Sequence, residues 1–364
     1  MEYRKLGRTG LRASVIGFGA EWIGKMEQAE VNAMAARGAA AGVNIVDCWM
    51  SDPAVRSALG EALEPTRDQW IIQGHIGSTW QDGQYVRTRE LDQVRPAFED
   101  LLARDEFRAI MNGPFIAYVR ELLAAGKIGH VGLSTHNPEV ALLACDEPEI
   151  EVVMFSLNPA FDMLPASEDI NDLFGDYENV AGDGIEPVRA RLYAKAEQTE
   201  TALTVMKGYA GGRLLSADAS PFGVALTPVQ CIHYALTRPA VASVMVGVET
   251  VEQLEEALAY GDATAAERDY ASVLAAAPKH AYLGQCTYCG HCAPCAVGIN
   301  IALSNKFADL AEMAGEVPAS VAAHYKAMDV TAGACIACGD CEPRCPFDVP
   351  IIERMEKTEE LFGC

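Results

Sequence analysis

The chain has 364 residues, half of them hydrophobic and 22% charged, which excludes a disordered protein and leaves room for one large domain and a small one. With 51 acidic residues against 28 basic ones the formal charge is −23, and such a surface repels nucleic acid and anionic membrane alike. No apolar run is long enough to span a bilayer and none follows the cations of MEYRKLGRTG, so we expect a cytoplasmic protein with no nucleic acid and no membrane as partner.

In chain order, residues 2–13 alternate polar and apolar around Gly7 and Gly10, which predicts a short hairpin. Apolar strand-like runs then take turns with helical patterns. Strands are predicted at Val15–Phe18, Asn44–Asp47, Trp70–Gly74, His130–Ser134, Val152–Leu157, Ala202–Lys207 and Ser243–Gly247. Helices are predicted at Ala29–Ala41, Pro53–Leu63, Val86–Arg104, Phe115–Ala125, Pro187–Glu197, Pro228–Leu236 and Val251–Ala259. Seven β-α units with strands apolar throughout point to a parallel sheet covered on both faces, closed as a (β/α)8 TIM barrel.

The count is one strand short. Between the helix ending near Arg104 and the one starting near Phe115 only DEFRAIMNGP intervenes, so the fourth strand is either missing or a degenerate Phe107–Met111. After Asn158 a long connection carries a series of acids from Asp162 to Asp183. On the C-terminal face of a barrel it would be a solvated, mobile lid or a substrate clamp, and a poor place for an anion. A helix from Thr264 to Ala277, with Thr264 as its cap, leads out of the barrel. The domains are therefore expected to be residues 1–275, a barrel, and residues 276–364, a small module with helices at Ile301–Ala314 and Pro318–Met328.

Eight of the twelve cysteines fall in two runs in that module: Cys286, Cys289, Cys292 and Cys295, then Cys335, Cys338, Cys341 and Cys345. The second reads C-x₂-C-x₂-C-x₃-C-P, closed by Pro346, the bacterial ferredoxin spacing for a [4Fe–4S] cluster. In that pattern three cysteines wrap one cubane and the fourth turns to the other. Cys286, Cys289 and Cys292 would thus share a cluster with Cys345, and Cys335, Cys338 and Cys341 the other with Cys295. The first run has only two residues before Cys295, and Ala296 stands where the proline would be, so spacing argues the crossed role more strongly for Cys345 than for Cys295. Zinc is the competing reading, but its sites usually take two separated cysteine pairs. Disulfides would need an oxidising compartment to which nothing here points.

Residues 3–20 (YRKLGRTGLRASVIGFGA), 44–49 (NIVDCW), 126–139 (GKIGHVGLSTHNPE), 206–215 (MKGYAGGRLL) and 244–258 (VMVGVETVEQLEEAL) resemble the aldo-keto reductases, NADP-dependent barrel enzymes. With the C-terminal cysteines, the chain resembles the branch that carries a fused alpha-helical ferredoxin-type domain. The resemblance implies hydride transfer to a carbonyl, with a tyrosine as acid, tuned by a lysine, beside an aspartate and a histidine. Carried over by motif, the aspartate is Asp47; Asp52 stands at the tyrosine position and His75 at the lysine position. The histidine belongs to the absent fourth strand. Ser134 and Asn137 match the carboxamide-binding residues. Gly247 opens the phosphate loop of Gly247–Gln253, in which Glu249 would repel a 2′-phosphate and no basic residue stands. NADP(H) is thus implied by the family more than by these residues.

Of the groups left, His75 is the better acid, with an unperturbed pKa near neutrality and a carboxylate in Asp47 to favour its charged form. The leading reading is an iron–sulfur oxidoreductase whose two [4Fe–4S] clusters exchange electrons with a small-molecule substrate at the barrel mouth, Asp47 and His75 facing it. A redox protein or other electron carrier would be the partner. Two alternatives stand beside it: a silent barrel serving as electron carrier or docking subunit of a redox complex, and ordinary NADPH-dependent carbonyl reduction with structural clusters.

Overall fold

The computed structural model describes residues 1–75, 78–88, 107, 110–167, 172–173, 175, 177, 184–315 and 317–364. They divide into two compact units. The first comprises Met1–Leu157, Thr201–Gly208 and Val241–Ala263, the second Asn158–Glu200, Tyr209–Ala240 and Thr264–Cys364.

The first unit holds the sheet. A hairpin of β1 (Tyr3–Lys5) and β2 (Arg12–Ser14) opens the chain, as its alternation predicts. Seven parallel strands follow: β3 (Ile16–Gly19), β4 (Ile45–Cys48), β5 (Ile71–Gly74), β8 (Gly132–Thr135), β9 (Val152–Ser156), β10 (Ala202–Met206) and β11 (Val241–Gly247). Their order is β5-β4-β3-β11-β10-β9-β8. That is the strand order of an α/β barrel with its fourth strand left out, and each of the seven falls within two residues of its predicted bounds. Apolar residues on both faces put the sheet in the interior: β4 is buried at all four positions, β11 at six of seven. Leu6 and Ala13 of the hairpin pack with Ile45, Met154, Ala202 and Met245 in one buried cluster. Gly17 makes room there, since a Cβ on it would lie 2.4 Å from Met245 Cε.

At the fourth strand, expected to be missing or degenerate, the described residues favour the first of the two readings. Of Phe107–Met111, the described residues Phe107, Ile110 and Met111 are helical, and they lead into α3 (Pro114–Ala124). Among the described residues β5 and β8 are the sheet's open ends. The helix predicted from Val86 to Arg104 is corrected at its start, because Val86 and Arg87 lie in β7 (Gln84–Arg87), which pairs antiparallel with β6 (Ser78–Gln81) around Asp82 and Gly83. The rest of it lies outside the described residues. Helices α1 (Gln28–Ala40), α2 (Pro53–Leu63), α4 (Pro138–Cys145) and α7 (Val251–Leu258) also belong to this unit, α4 being one that sequence periodicity passed over.

The second unit gathers α5 (Pro187–Gln198) and α6 (Pro228–Thr237) with everything from Thr264 onward. Thr264 caps only a single turn, through Glu267; the helix proper is α8 (Tyr270–Ala275), capped by Asp269 on Ser272 N at 2.8 Å. Then come α9 (Ile301–Ala314), α10 (Ala319–Lys326) and α11 (Ile351–Phe362). Helix α9 buries Ile301, Ser304, Phe307, Ala308 and Ala311, a stripe of helical period, and packs against α5 and α11. Helix α11, not foreseen from sequence, buries Ile351, Met355, Thr358 and Phe362, with Phe362 stacked on Tyr325 at 4.0 Å.

The connection after Asn158 also needs correcting at its start. Asp162 is no solvated lid residue: it is fully buried in a 3-10 turn, Phe161–Met163. Asn158 makes that turn by accepting from the amides of Ala160 and Phe161, both at 2.9 Å. Glu168, Asp169, Asp176, Glu178 and Asp183 lie outside the described residues.

Candidate functional site

In the first unit, the chemistry collects where β4 and β5 end. Asp47 and Gln73 are register partners across the two strands, so their side chains leave the sheet on the same side. His75 lies two residues after Gln73 and follows it to that side. His75 Nε2 contacts Asp47 Oδ1, and Gln73 Nε2 donates to the same oxygen at 3.4 Å. Asp47 is 3% exposed, and Gln73 Oε1 is buried without a hydrogen-bond partner among the described residues. A buried acceptor left open beside an acid–base pair suits a ligand's N–H or O–H. The loop after β4 adds Trp49, whose ring meets Tyr85 of the β6–β7 hairpin at 5.4 Å, and Lys207 after β10 pairs with Glu21 after β3 at 3.4 Å. Sequence reasoning missed Gln73, Tyr85 and Lys207. Gln73 alone had a usable signal, its two-residue spacing from His75.

The other positions are placed as follows. Asp52 accepts from Ala54 N at 2.8 Å and is the cap of α2, which accounts for an aspartate directly before Pro53. Asn137 does the same for α4, its Oδ1 accepting from Glu139 N at 2.8 Å. Ser134 is half-buried on β8, and its neighbour Thr135 accepts from Asn137 N at 3.1 Å. Gly247 ends β11 and is exposed; Glu249 N donates to Gln253 in a turn capped by Thr250. The carboxamide oxygen of Asn137 is thus engaged in its helix, and the loop after β11 carries no cation.

In the second unit the eight cysteines line two cavities. One is lined by Cys286, Cys289, Cys292 and Cys345, together with Thr287 and Phe347. The other is lined by Cys295, Cys335, Cys338 and Cys341, together with Ile299 and Ile336. The last cysteine of each run stands with the first three of the other, and Cys295 does so despite its irregular spacing. Among the described residues no three His, Cys, Asp or Glu side chains converge on a single ion. Four thiols spread around a cavity suit a cage of metal atoms rather than one zinc. The chain's folding explains the approach: Arg344, beside Cys345, donates to Cys292 O at 3.0 Å and to Pro294 O at 2.7 Å, tying the second run to the first. Burial pushes the Cys286 thiol up to about 12 and the Cys292 thiol up to about 11. Such sulfurs release their protons against a metal's charge and otherwise keep them.

A parallel α/β sheet in barrel order followed by two cysteine quartets is the architecture of an oxidoreductase barrel joined to an iron–sulfur domain. The family model for the aldo/keto reductase family matches residues 15–277, and that for a 4Fe-4S dicluster domain matches residues 285–350. The chain belongs to the aldo/keto reductase family and carries a fused 4Fe-4S dicluster domain. Among solved structures it resembles the holo form of an aldo-keto reductase from Bacillus halodurans, with 17% identity over 74% of this chain and 94% of the other and a TM-score of 0.54. It also resembles a Pseudomonas aeruginosa protein assigned by name to the aldo-keto reductases, with 21% identity, coverage of 71% and 94%, and a TM-score of 0.50. At these identities the likeness shows the fold. No curated protein sequence matches the chain. Among the described residues no helix is long and apolar enough to cross a membrane.

Proposed function

We propose that electrons pass singly between two [4Fe–4S] clusters, held by the crossed cysteine quartets of residues 276–364, and a small molecule bound at the strand ends of the barrel, residues 1–275. The observation that carries the reading is the contact of His75 with buried Asp47 beside the open acceptor of Gln73. Clusters, when bound, supply or take up one electron each. Protons must come from the chain. Reducing a neutral carbonyl or enone takes two electrons and two protons. With Nε2 held by Asp47, His75 is the proton donor to the substrate and is recharged from solvent. Gln73 Oε1 accepts from the substrate and orients it.

The nicotinamide fits less well. Asn137 is a helix cap, and Glu249 would face a 2′-phosphate where a cation belongs, so no step is assigned to NADP(H). A redox protein or small electron carrier would take its place as partner.

Anaerobically prepared protein should be brown and hold roughly eight iron and eight sulfide per chain, the content of two cubanes. Dithionite should bleach the visible absorption and NADPH should leave it unchanged. Zinc without iron would remove the cluster reading. Bleaching by NADPH would restore ordinary nicotinamide chemistry. In a panel of carbonyl and enone compounds at least one should reoxidise the dithionite-reduced protein, and His75→Gln should slow that step by about 10²-fold or more. A protein that no compound reoxidises, with or without His75, would be an electron carrier with a silent barrel.

A further inference from the structure

The two most exposed large hydrophobic side chains among the described residues both stand beside the cysteine runs. Ile336, 62% exposed, lies between Cys335 and Cys338, and Leu283, 52% exposed, lies ahead of Cys286. Apolar side chains left in water beside a redox site mark a surface that a partner covers. The two faces are not equivalent. Around the first quartet Cys292 is buried, and so are Thr287 and Phe347, which line the same cavity. Around the second, Cys338 is itself exposed, together with Ala337 and Ile336. Electron transfer slows steeply with distance, so a carrier arriving from solvent exchanges first with the second quartet's cluster.

Helix α11 builds the rim of that face. Its Ile352 and Met355 line the cavity of Cys295, Cys335, Cys338 and Cys341. Glu356 and Glu359 follow Ile352 at the spacing of one helical stripe. A Cβ on Gly333 would lie 3.2 Å from Glu359 Oε1, so this carboxylate stands beside the turn that leads into Cys335. Both glutamates are exposed, and so is Asp340, between Cys338 and Cys341. The cations nearby are engaged elsewhere. Arg344 also lines the cavity, but its guanidinium donates to Cys292 O and Pro294 O, and Lys357 pairs with Glu312 at 2.6 Å. A small carrier would be held in a pocket, whereas an apolar centre with a charged rim is the anatomy of a protein interface.

We propose that the face of Ile336, Ala337 and Cys338 docks a redox protein whose exposed cofactor edge is ringed by basic side chains, and that electrons cross there to or from the cluster of Cys295, Cys335, Cys338 and Cys341. The inference rests on the cluster reading given under the proposed function. In each crossing the cluster loses or gains one electron and the carrier gains or loses the same one. No bond forms or breaks, and no proton moves. The cluster of Cys286, Cys289, Cys292 and Cys345 then exchanges electrons through its neighbour.

The test is anaerobic stopped-flow oxidation of the dithionite-reduced, desalted whole protein by ferricytochrome c, a basic haem protein, with iron quantified on every sample. Ile336→Lys sets a cation at the apolar centre and should lower the second-order rate constant on the order of tenfold. Glu356→Gln/Glu359→Gln should lower it at low salt and flatten its dependence on ionic strength. Leu283→Lys makes the same change on the other face and should leave the rate near the parent's. With duroquinone, a small neutral oxidant that needs no docking face, all variants should match the parent. Should Ile336→Lys load no iron, the glutamine double variant and Leu283→Lys decide alone. The proposal is overturned by a loaded Ile336→Lys protein that reacts at the parent's rate, by equal slowing in Leu283→Lys, by a double variant with the parent's salt dependence, or by the same slowing with duroquinone. A parent protein that duroquinone oxidises and ferricytochrome c does not would overturn it as well. Absence of iron from the parent protein would overturn the cluster reading instead.

Discussion

Asp47 and Asp52 show how one residue type takes two roles five positions apart. Asp47 follows two apolar residues of a buried strand and contacts His75; Asp52 precedes a proline and caps a helix. Asp52→Ala should cost about 1 kcal/mol, the usual loss of an N-cap. A thermal melt should show the loss while the rate of substrate-driven reoxidation stays unchanged. A fall in that rate comparable to His75→Gln would return Asp52 to the chemistry. The strand-end aspartate was legible because its neighbours are apolar and its strand is short. Asp162 and Arg238 were not legible: their burial is decided by Tyr193, Tyr234 and Thr287, which are remote in sequence, and composition alone puts such residues at the surface.

Helix starts are the most readable elements. Asp52-Pro53 and Thr227-Pro228 each combine a side-chain cap with proline in the first turn and begin a predicted helix, whereas Asn137-Pro138 carries the same signal and its helix was passed over. The rule misplaces α8, because Thr264 closes a local turn with Glu267 and the capping role passes to Asp269. Burial pushes the Asp269 carboxyl up, but hydrogen bonds from Ser272 and His291 outweigh it and hold the group below the ordinary carboxylate range. A carboxylate depressed in the folded state stabilises above its unfolded value and loses that contribution as pH falls through the folded one. Asp269→Ala should therefore lower stability by about 1 kcal/mol near neutrality and leave a stability curve flatter than the parent's below about pH 4. Parallel curves for the two proteins would contradict that account. The β6–β7 hairpin was read as the head of a helix because Val86 continues an apolar pattern; the Asp82-Gly83 turn was the overlooked signal, both residues having positive φ.

At the scale of the molecule, fold and cluster site were readable to different depths. Seven strands and the eight cysteines follow from local pattern and spacing. The missing strand shows only as a count that fails to reach eight, and grouping α5 and α6 with the cysteine-bearing segment follows from packing that no single stretch encodes. A net charge of −23 bears on the redox partner. A basic electron donor should reduce the clusters faster at low salt than an acidic donor of equal potential, and the advantage should shrink as ionic strength passes about 0.1 M. Stopped-flow rates that are flat in salt for both donors would place the docking face away from the acidic surface.

The crossed quartets have one more effect. In the proposed ligation, one cluster would close the loop from Cys286 to Cys345 and the other the loop from Cys295 to Cys341, nested within it. The two rings share the same intervening stretch, which includes α9 and α10. Assembly of either metal centre thus prefolds the ring the other needs, and losing one slackens both. Maturation should be all-or-none: iron-limited cells should yield a mixture of empty and fully loaded chains, resolvable by native mass spectrometry, with few half-loaded ones between.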